Sequence, residues 1–237
     1  MNNNLFDNER ELERDIEDLN ATFETAHPQD ILIWAWRTFG PHIGASSSFQ
    51  TQSVPLLHMI ANHTPWMRIF FLDTGFHFAE TLAFRDQLRN EWRLNIHNIE
   101  PDMGHERFKR CYGELYRHNP DMCCYINKVE PWRRIRRTLD AWISGIRRDQ
   151  TPQRRNTPII TRQTDGTYKI APLATWSKKD IWHYRDAHNL PEHPLQAQGY
   201  QSIGCAPCTH PVDATEEERA GRWKGNGKTE CGLHTLE

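Results

Sequence analysis

No apolar run in this chain of 237 residues approaches the length needed to cross a bilayer; even the longest, such as residues 67–72, are far too short. A surplus of charge is also lacking. The formal net charge of −2 gives no global attraction to nucleic acid or to an anionic membrane, so any recognition of anions must be local. There is no internal repeat, and no low-complexity stretch longer than the three serines Ser46 to Ser48. The first twenty residues are polar and acid-rich where an export segment would show a basic start and an apolar stretch. The expectation is a cytoplasmic protein with neither nucleic acid nor membrane as partner. In that reducing compartment the six cysteines read as metal ligands, redox thiols or buried apolar groups, not as structural disulfides.

What is present is enough apolar residue, 37% of the chain, to build one large domain with appendages. Residues 8–26 carry Leu12, Ile16, Leu19 and Phe23 at steps of three and four, the spacing of an amphipathic helix. A second helix is expected over 30–39, closed by Gly40 and Pro41. From there the order alternates. A strand at 42–45 meets the loop Ser46-Ser47-Ser48 and a helix at 52–60. A strand at 67–72 meets the turn Asp73-Thr74-Gly75 and a helix at 78–92, and a third strand follows at 94–99. Residues 105–138 are helical in pattern, with breaks expected at Asn119-Pro120 and at Pro131. A fourth strand is expected at 141–144, then a polar, arginine-rich loop over 145–156. A hairpin at 158–161 and 168–171 turns at Asp165-Gly166, and a helix at 177–188 has Ser177 as its N-cap. Such alternation predicts an α/β fold, a mostly parallel twisted sheet with helices on both faces and ligands beyond the carboxyl ends of its strands.

Cys205 and Cys208, with two residues between them, have the spacing at which two thiolates reach one metal centre. Zinc, a redox dithiol and an iron-sulfur cluster all use that spacing. The adjacent pair Cys123 and Cys124 favours a cluster, because neighbouring thiolates diverge too far for one zinc tetrahedron while a cubane offers each its own iron corner. The competing reading makes the pair buried small apolar residues, as Cys111, which has no such partner, is expected to be. Four thiolates around a [4Fe-4S] core need nearby cations, and Lys128 lies one turn after the pair. Cys231 sits in the C-terminal tail with Lys228 three residues before it and His234 three after, an arrangement that favours a thiolate; an exposed spectator thiol is the alternative. The arginine run at 133–137 reads as a solvated helix face.

Cys123-Cys124 with Ile126-Asn127-Lys128, the loop Gly145-Ile146-Arg147-Arg148-Asp149-Gln150, Gly204-Cys205-Ala206-Pro207-Cys208-Thr209 and Glu230-Cys231-Gly232-Leu233-His234 resemble, in collinear order, the iron-sulfur type of assimilatory adenylyl-sulfate reductase within the PAPS/APS reductase family. The resemblance spans about residues 30–237 and implies an adenine-nucleotide alpha-hydrolase-like fold. It divides the chain into an N-terminal helical appendage (1–27), a nucleotide-binding α/β domain with the iron-sulfur site (28–210) and a C-terminal segment with a mobile tail (211–237). It implies Cys123, Cys124, Cys205 and Cys208 as ligands of a [4Fe-4S] cluster and Cys231 as the nucleophile. Substrate contacts are implied for Ser46, Ser47 and Ser48 through backbone N–H groups, for Asp73, Thr74 and Gly75 on the adenosine side, and for Lys128, Arg147, Arg148, Arg219, Arg222 and His234.

The implied reaction is thioredoxin-dependent reduction of adenosine 5'-phosphosulfate to sulfite and AMP in sulfate assimilation, through an S-sulfocysteine on Cys231. Thioredoxin or a similar dithiol is the implied reductant, and the oligomeric state is left open, a homo-oligomer included. The loop Ser46 to Gln50 lacks the paired glycines and aspartate of the pyrophosphatases that share the fold. It is closer to the cluster-free branch that uses 3'-phosphoadenylyl sulfate, which keeps that nucleotide as the alternative substrate. Two readings of other classes also stand at this point. A non-enzymatic iron-sulfur nucleotide sensor would keep the four ligands without needing Cys231, and a zinc-bearing nucleic-acid module would need a basic surface that the near-neutral charge does not supply.

Overall fold

Apolar alternation along the strands sets the layers of the computed structural model, which describes residues 15–213, 215–224, 228 and 230–233. Six strands form one sheet: β1 (Ile43–Ser46), β2 (Arg68–Leu72), β3 (Ile96–Ile99), β4 (Ala141–Ser144), β5 (Ile160–Arg162) and β6 (Tyr168–Ile170). Their order is β3-β2-β1-β4-β6-β5, and every neighbouring pair is parallel except β5 with β6. Ile69 and Phe71 of β2 and Ile143 of β4 join one apolar core with α1 (Pro28–Phe39), α2 (Val54–His63), α3 (Ala79–Trp92) and α8 (Lys178–Ala187). Phe70, Leu72 and Trp142, one residue out of phase, face the other way into a second core with Trp132, Leu139 and Leu233. Period two along each strand thus puts helices on both faces, as the alternation of strands and helices predicts.

On the second face lie Trp132 and Ile135 of α7 (Glu130–Arg136), which follows α4 (His105–Tyr112), α5 (Leu115–His118) and α6 (Pro120–Cys124) in the chain. The expected break at Asn119-Pro120 is present. There the Asn119 side chain accepts from the Met122 amide, and Pro120 occupies the first helical turn. The expected break at Pro131 is not. Residues 125–129 widen into a π turn in which the Glu130 amide reaches back five residues to the Tyr125 carbonyl, and the helix runs on through the proline. A break that the periodicity did not show falls at Gly113, whose φ of 53° ends α4. Cys111, expected inside, is exposed on α4. Phe108 is the buried residue of that helix. Arg136, by contrast, leaves the solvated face expected for its run and pairs with Asp165 of the β5–β6 turn at 2.5 Å.

Residues 15–23 are helical, and the remainder of the expected first helix on its N-terminal side lies outside the described residues. Phe23, Ile16 and Leu19 pack on the first core. The Asn20 side chain both donates to the Ile160 carbonyl (3.0 Å) and accepts from the Ile160 amide (2.8 Å), which occupies backbone groups on the edge strand β5. Among the described residues no helix is long and apolar enough to cross a membrane.

Beyond α8, which Ser177 and Asp180 cap reciprocally, the chain is irregular and is pinned by His193. Its Nε2 meets the Thr81 hydroxyl at 2.9 Å, its Nδ1 accepts from the Leu195 amide, and its own amide donates to Thr51 Oγ1. Burial pushes its pKa down to about 4, so the neutral ring is the folded form. Because the folded value lies below the ordinary one of 6.5, the unfolded chain takes up the proton first. The stability that neutral His193 contributes is complete above the ordinary value and is lost as pH falls toward about 4. Between pH 7 and pH 5 the wild type should lose about 2 kcal/mol more than a His193→Gln chain in urea melts. Equal losses would rule out this role.

Candidate active site

Strand order reverses between β1 and β4: β2 and β3 extend the sheet on one side, β6 and β5 on the other. Loops leaving the carboxyl ends of two such strands diverge and open a crevice. Here the crevice is a cavity whose lining includes Ser46 at the end of β1 with Ser47 and Ser48 beyond it, Leu72 at the end of β2, Gly145 and Ile146 beyond β4, and Cys231 from the C-terminal segment.

The serine loop is fixed by Phe49, a fully buried residue with φ 55° whose ring packs edge-on against Phe71. The Ser47 amide already donates to the Phe70 carbonyl at 3.1 Å, and the Phe49 amide to Ser47 Oγ at 3.1 Å. One of the amides expected to cradle a phosphate, that of Ser47, is therefore in use. The loop lines the cavity instead with small hydroxyl side chains, followed by Gln50, whose side chain accepts from the Ile203 amide at 2.9 Å.

Cations gather at the Cys231 end. Lys128, Arg154, Arg219 and Arg222 share the cavity with Cys231 and Glu230. Arg154 reaches the Glu230 carboxylate at 2.7 Å and Arg219 at 3.5 Å. Burial pulls the Arg219 pKa down to about 10, against the pull of Glu230. Arg222 lies over the buried Trp223 ring at 4.4 Å, with Arg219 and Lys228 at 5.8 and 5.7 Å from the same centroid.

Gly204 makes room for this stack. A Cβ there would fall 2.3 Å from the nearest Arg222 guanidinium nitrogen. Gly204→Ala should swing that guanidinium off Trp223, since the side chain can yield where backbone cannot. The expected result is a KM for the anionic substrate raised about tenfold, equivalent to ~1.4 kcal/mol of lost binding, with the melting temperature little changed. Steady-state kinetics beside a thermal melt checks this.

A second cavity lies behind the first and is lined by Cys123, Cys124, Cys205 and Cys208. Lys128, Arg222 and Trp223 line both cavities and form the wall between them. The four cysteines converge because the Cys205–Cys208 turn is tied on both sides. The Ala206 amide donates to the Phe76 carbonyl at 2.7 Å, and the Trp223 amide to the Cys208 carbonyl at 3.0 Å. Thr74 Oγ1 lies 3.3 Å from Cys205 Sγ, and the Asn127 side chain donates to Cys123 Sγ at 3.7 Å.

Burial pushes Cys123 up to about 12 and Cys208 up to about 11, each raised further by neighbouring thiols, and raises Cys124 as well. Burial also opposes the Cys205 thiolate, but Lys128, Thr74 and Arg222 together outweigh it and hold that pKa below the ordinary thiol value. Lys128 is the converse case. Burial would strip its proton, yet attraction to the sulfurs of Cys205, Cys124 and Cys231 holds the ammonium above its ordinary range. Among the described residues no three His, Cys, Asp or Glu side chains close around a single metal ion.

Of the residues singled out in the sequence, Ser46, Ser47, Ser48, Lys128, Arg219, Arg222 and Cys231 meet in the first cavity, and the four paired cysteines in the second. Others are placed elsewhere. Arg147 is 1% exposed and bound by Gln52, Asp149 and Glu218. Arg148 turns outward to Glu24 at 2.6 Å and to the Thr157 carbonyl. Both belong to loop and N-terminal packing and line neither cavity. Asp73 accepts from the Gly75 amide, and Thr74 faces the cysteine cavity, so this turn does not reach the first cavity; Leu72 before it does. His234 lies outside the described residues.

Sequence reading passed over Arg154, His77, Trp223 and Glu230, all of which line the first cavity. Arg154 could have been found only as one more arginine of the 145–156 loop. Burial pushes His77 down to about 4, and it stays neutral while bonded to the Leu72 carbonyl.

Sheet order and crevice define an α/β protein of the adenine-nucleotide alpha-hydrolase-like class, here with a thiol at the crevice. The chain belongs to the family described as phosphoadenosine phosphosulfate reductase domain, which matches residues 42–211. It is 40% identical to the adenosine 5'-phosphosulfate reductase of Salinibacter ruber over 92% of this chain and 87% of that protein. It is 42% identical to the phosphoadenosine 5'-phosphosulfate reductase of Gloeobacter violaceus over 92% of this chain and 93% of that one. Among solved structures, the phosphoadenylyl-sulfate reductase of Candida auris superposes with a TM-score of 0.73 at 28% identity, covering 83% of this chain and 96% of that one.

Proposed function

We propose that this oxidoreductase converts adenosine 5'-phosphosulfate to sulfite and AMP, with Cys231 as nucleophile and a dithiol protein of the thioredoxin class as reductant. The observation that carries the reading is the meeting of Cys231 with Lys128, Arg154, Arg219 and Arg222 in a crevice at the sheet's switch point. A thiol among cations suits attack on a sulfur that leaves an anion behind.

The Cys231 thiolate attacks the sulfate sulfur of the nucleotide; the new S–S bond forms as the S–O bond to phosphate breaks, and AMP departs with that electron pair. Arginine and lysine charge at the cavity's Cys231 end favours the departing phosphate. Cys231 then carries an S-sulfonate. One thiolate of the reductant attacks Cys231 Sγ, and sulfite leaves with the electrons of the S–S bond. The second thiol resolves the mixed disulfide, so both electrons come from the dithiol.

The donor set fits a [4Fe-4S] cluster. Four cysteines frame one cavity without closing on a single ion, and burial disfavours their thiolates unless positive charge occupies the space between them. When bound, the cluster supplies fixed charge and a brace between the 120–136 helix and the Cys205–Cys208 turn. Lys128, in the dividing wall, places its ammonium toward both cavities.

Choice between the two nucleotides rests on separate features. The four-cysteine set supports adenosine 5'-phosphosulfate, while the serine loop favours the 3'-phosphorylated form as a second reading. Incubating the protein with either labelled nucleotide and no reductant decides. A sulfonate adduct on Cys231, found by mass and faster with adenosine 5'-phosphosulfate, is the expected result. A faster adduct with the 3'-phosphorylated nucleotide selects the second reading, and no adduct from either overturns both.

A further inference from the structure

Glu230, immediately before the nucleophile, is a carboxylate inside a cavity built for anions. Its side chain is 9% exposed. One oxygen takes Arg154 at 2.7 Å and Arg219 at 3.5 Å, and the other lies 3.5 Å from the Thr151 hydroxyl. Arg154 and Thr151 belong to the loop after β4, while Arg219 precedes Trp223 in the C-terminal segment. A single side chain therefore ties the residue beside Cys231 to both walls of the substrate cavity. The same stretch is also held by Leu233, which packs in the second core, and by Lys228, which lies over Trp223 and pairs with Asp121, itself 83% exposed. Neither of these fixes the chain at the cavity's arginines, whereas a desolvated carboxylate with two guanidinium partners holds the residue beside Cys231 there.

We infer that Glu230 is a positioning residue: its carboxylate docks the end of the C-terminal segment onto Arg154 of the loop after β4 and onto Arg219 earlier in the same segment, so that Cys231 stands in the cavity, and it serves as the internal counter-anion of those two arginines. The inference rests on Cys231 being the reacting thiol. Two consequences pull in opposite directions. Loss of the carboxylate frees Cys231 from the cavity and slows attack on bound nucleotide. It also removes the anion with which the nucleotide's own phosphate shares Arg154 and Arg219, and so strengthens nucleotide binding.

The test compares wild type, Glu230→Gln and Glu230→Asp in three measurements on the full chain with its native metal content. These are iodoacetamide alkylation of Cys231 followed by mass, AMP affinity by calorimetry, and single-turnover S-sulfonation at saturating nucleotide. For Glu230→Gln the expected results are alkylation at least fivefold faster, AMP bound as tightly or more tightly, and S-sulfonation at least tenfold slower. Glu230→Asp should recover part of both rates because the charge remains. Arg154→Gln, which breaks the same tie from the opposite wall, should accelerate alkylation likewise, and it carries the test if the Glu230 variants fail to fold.

Alkylation and S-sulfonation rates both unchanged in Glu230→Gln would overturn the inference, as would a tenfold weaker AMP affinity with unchanged S-sulfonation. Absence of S-sulfonation in the wild type would overturn the proposed reaction, while the alkylation and AMP arms would still decide whether Glu230 docks the segment.

Discussion

A Cys231→Ser chain is expected to acquire no sulfonate from adenosine 5'-phosphosulfate and to lose turnover by at least about 10³-fold, because a serine hydroxyl in this cavity has no general base. Among the described residues the ionisable groups that share the cavity with Cys231 are cations, a carboxylate already engaged by arginines, and His77, whose pKa burial pushes down to about 4 and which is therefore a weak base. A thiolate needs no base at the moment of attack, whereas serine does. Nucleotide binding should survive, since the cations proposed to meet the phosphate remain. AMP affinity within threefold of wild type would accompany the loss of reaction. Substitution of Cys111, exposed on α4 away from both cavities, is the matched control and should change neither. Turnover retained in Cys231→Ser would move the nucleophile elsewhere.

Replacing Lys128 by glutamine should lower kcat/KM by about 10²- to 10³-fold, corresponding to ~3–4 kcal/mol of lost transition-state stabilisation. The magnitude follows from position. Lys128 lines both cavities, and its ammonium is kept charged by the sulfurs of Cys205, Cys124 and Cys231 against the cost of burial. An uncharged amide would leave the Cys205 thiolate without its counter-ion and the departing phosphate with one cation fewer. Lys128→Arg should rescue poorly, since a planar guanidinium does not fit a wall formed around a compact ammonium. Iron and acid-labile sulfide measured on each variant separates the two roles. Normal content with slow S-sulfonation places the defect at the substrate, and depleted content places it at the cysteines. A kcat/KM within threefold of wild type would remove both roles.

Local pattern carried much of the fold. The fourth strand falls at Ala141–Ser144 as its apolar residues between Asp140 and Gly145 suggest, and Ser177 caps its helix as read. Pro131 misled because a π turn, invisible in apolar periodicity, absorbs the ring. Gly113 ends a helix that composition alone would have continued.

The site was legible unequally. Cysteine spacing is short-range information, since adjacent or near-adjacent residues must lie close in space whatever the fold, and both pairs do line one cavity. Arginines give no such guide. Arg147, Arg148 and Arg154 look alike within one polar loop, yet one is sealed in by Gln52, Asp149 and Glu218, one faces outward to Glu24, and only Arg154 turns into the crevice. Which way Arg148 and Arg154 turn depends on partners 124 and 76 positions away, which no window of sequence contains.

By itself the sequence determined the paired cysteines, the tail thiol and the α/β alternation, all properties of residue type and near spacing. Only the tertiary structure decided that Lys128, Arg222 and Trp223 form one wall between two cavities, and that Glu230 ties Cys231 to Arg154 and Arg219. Those relations exist because the sheet's reversal between β1 and β4 and the closure of the C-terminal segment over Phe70, Leu72 and Trp132 bring distant stretches of chain to one place.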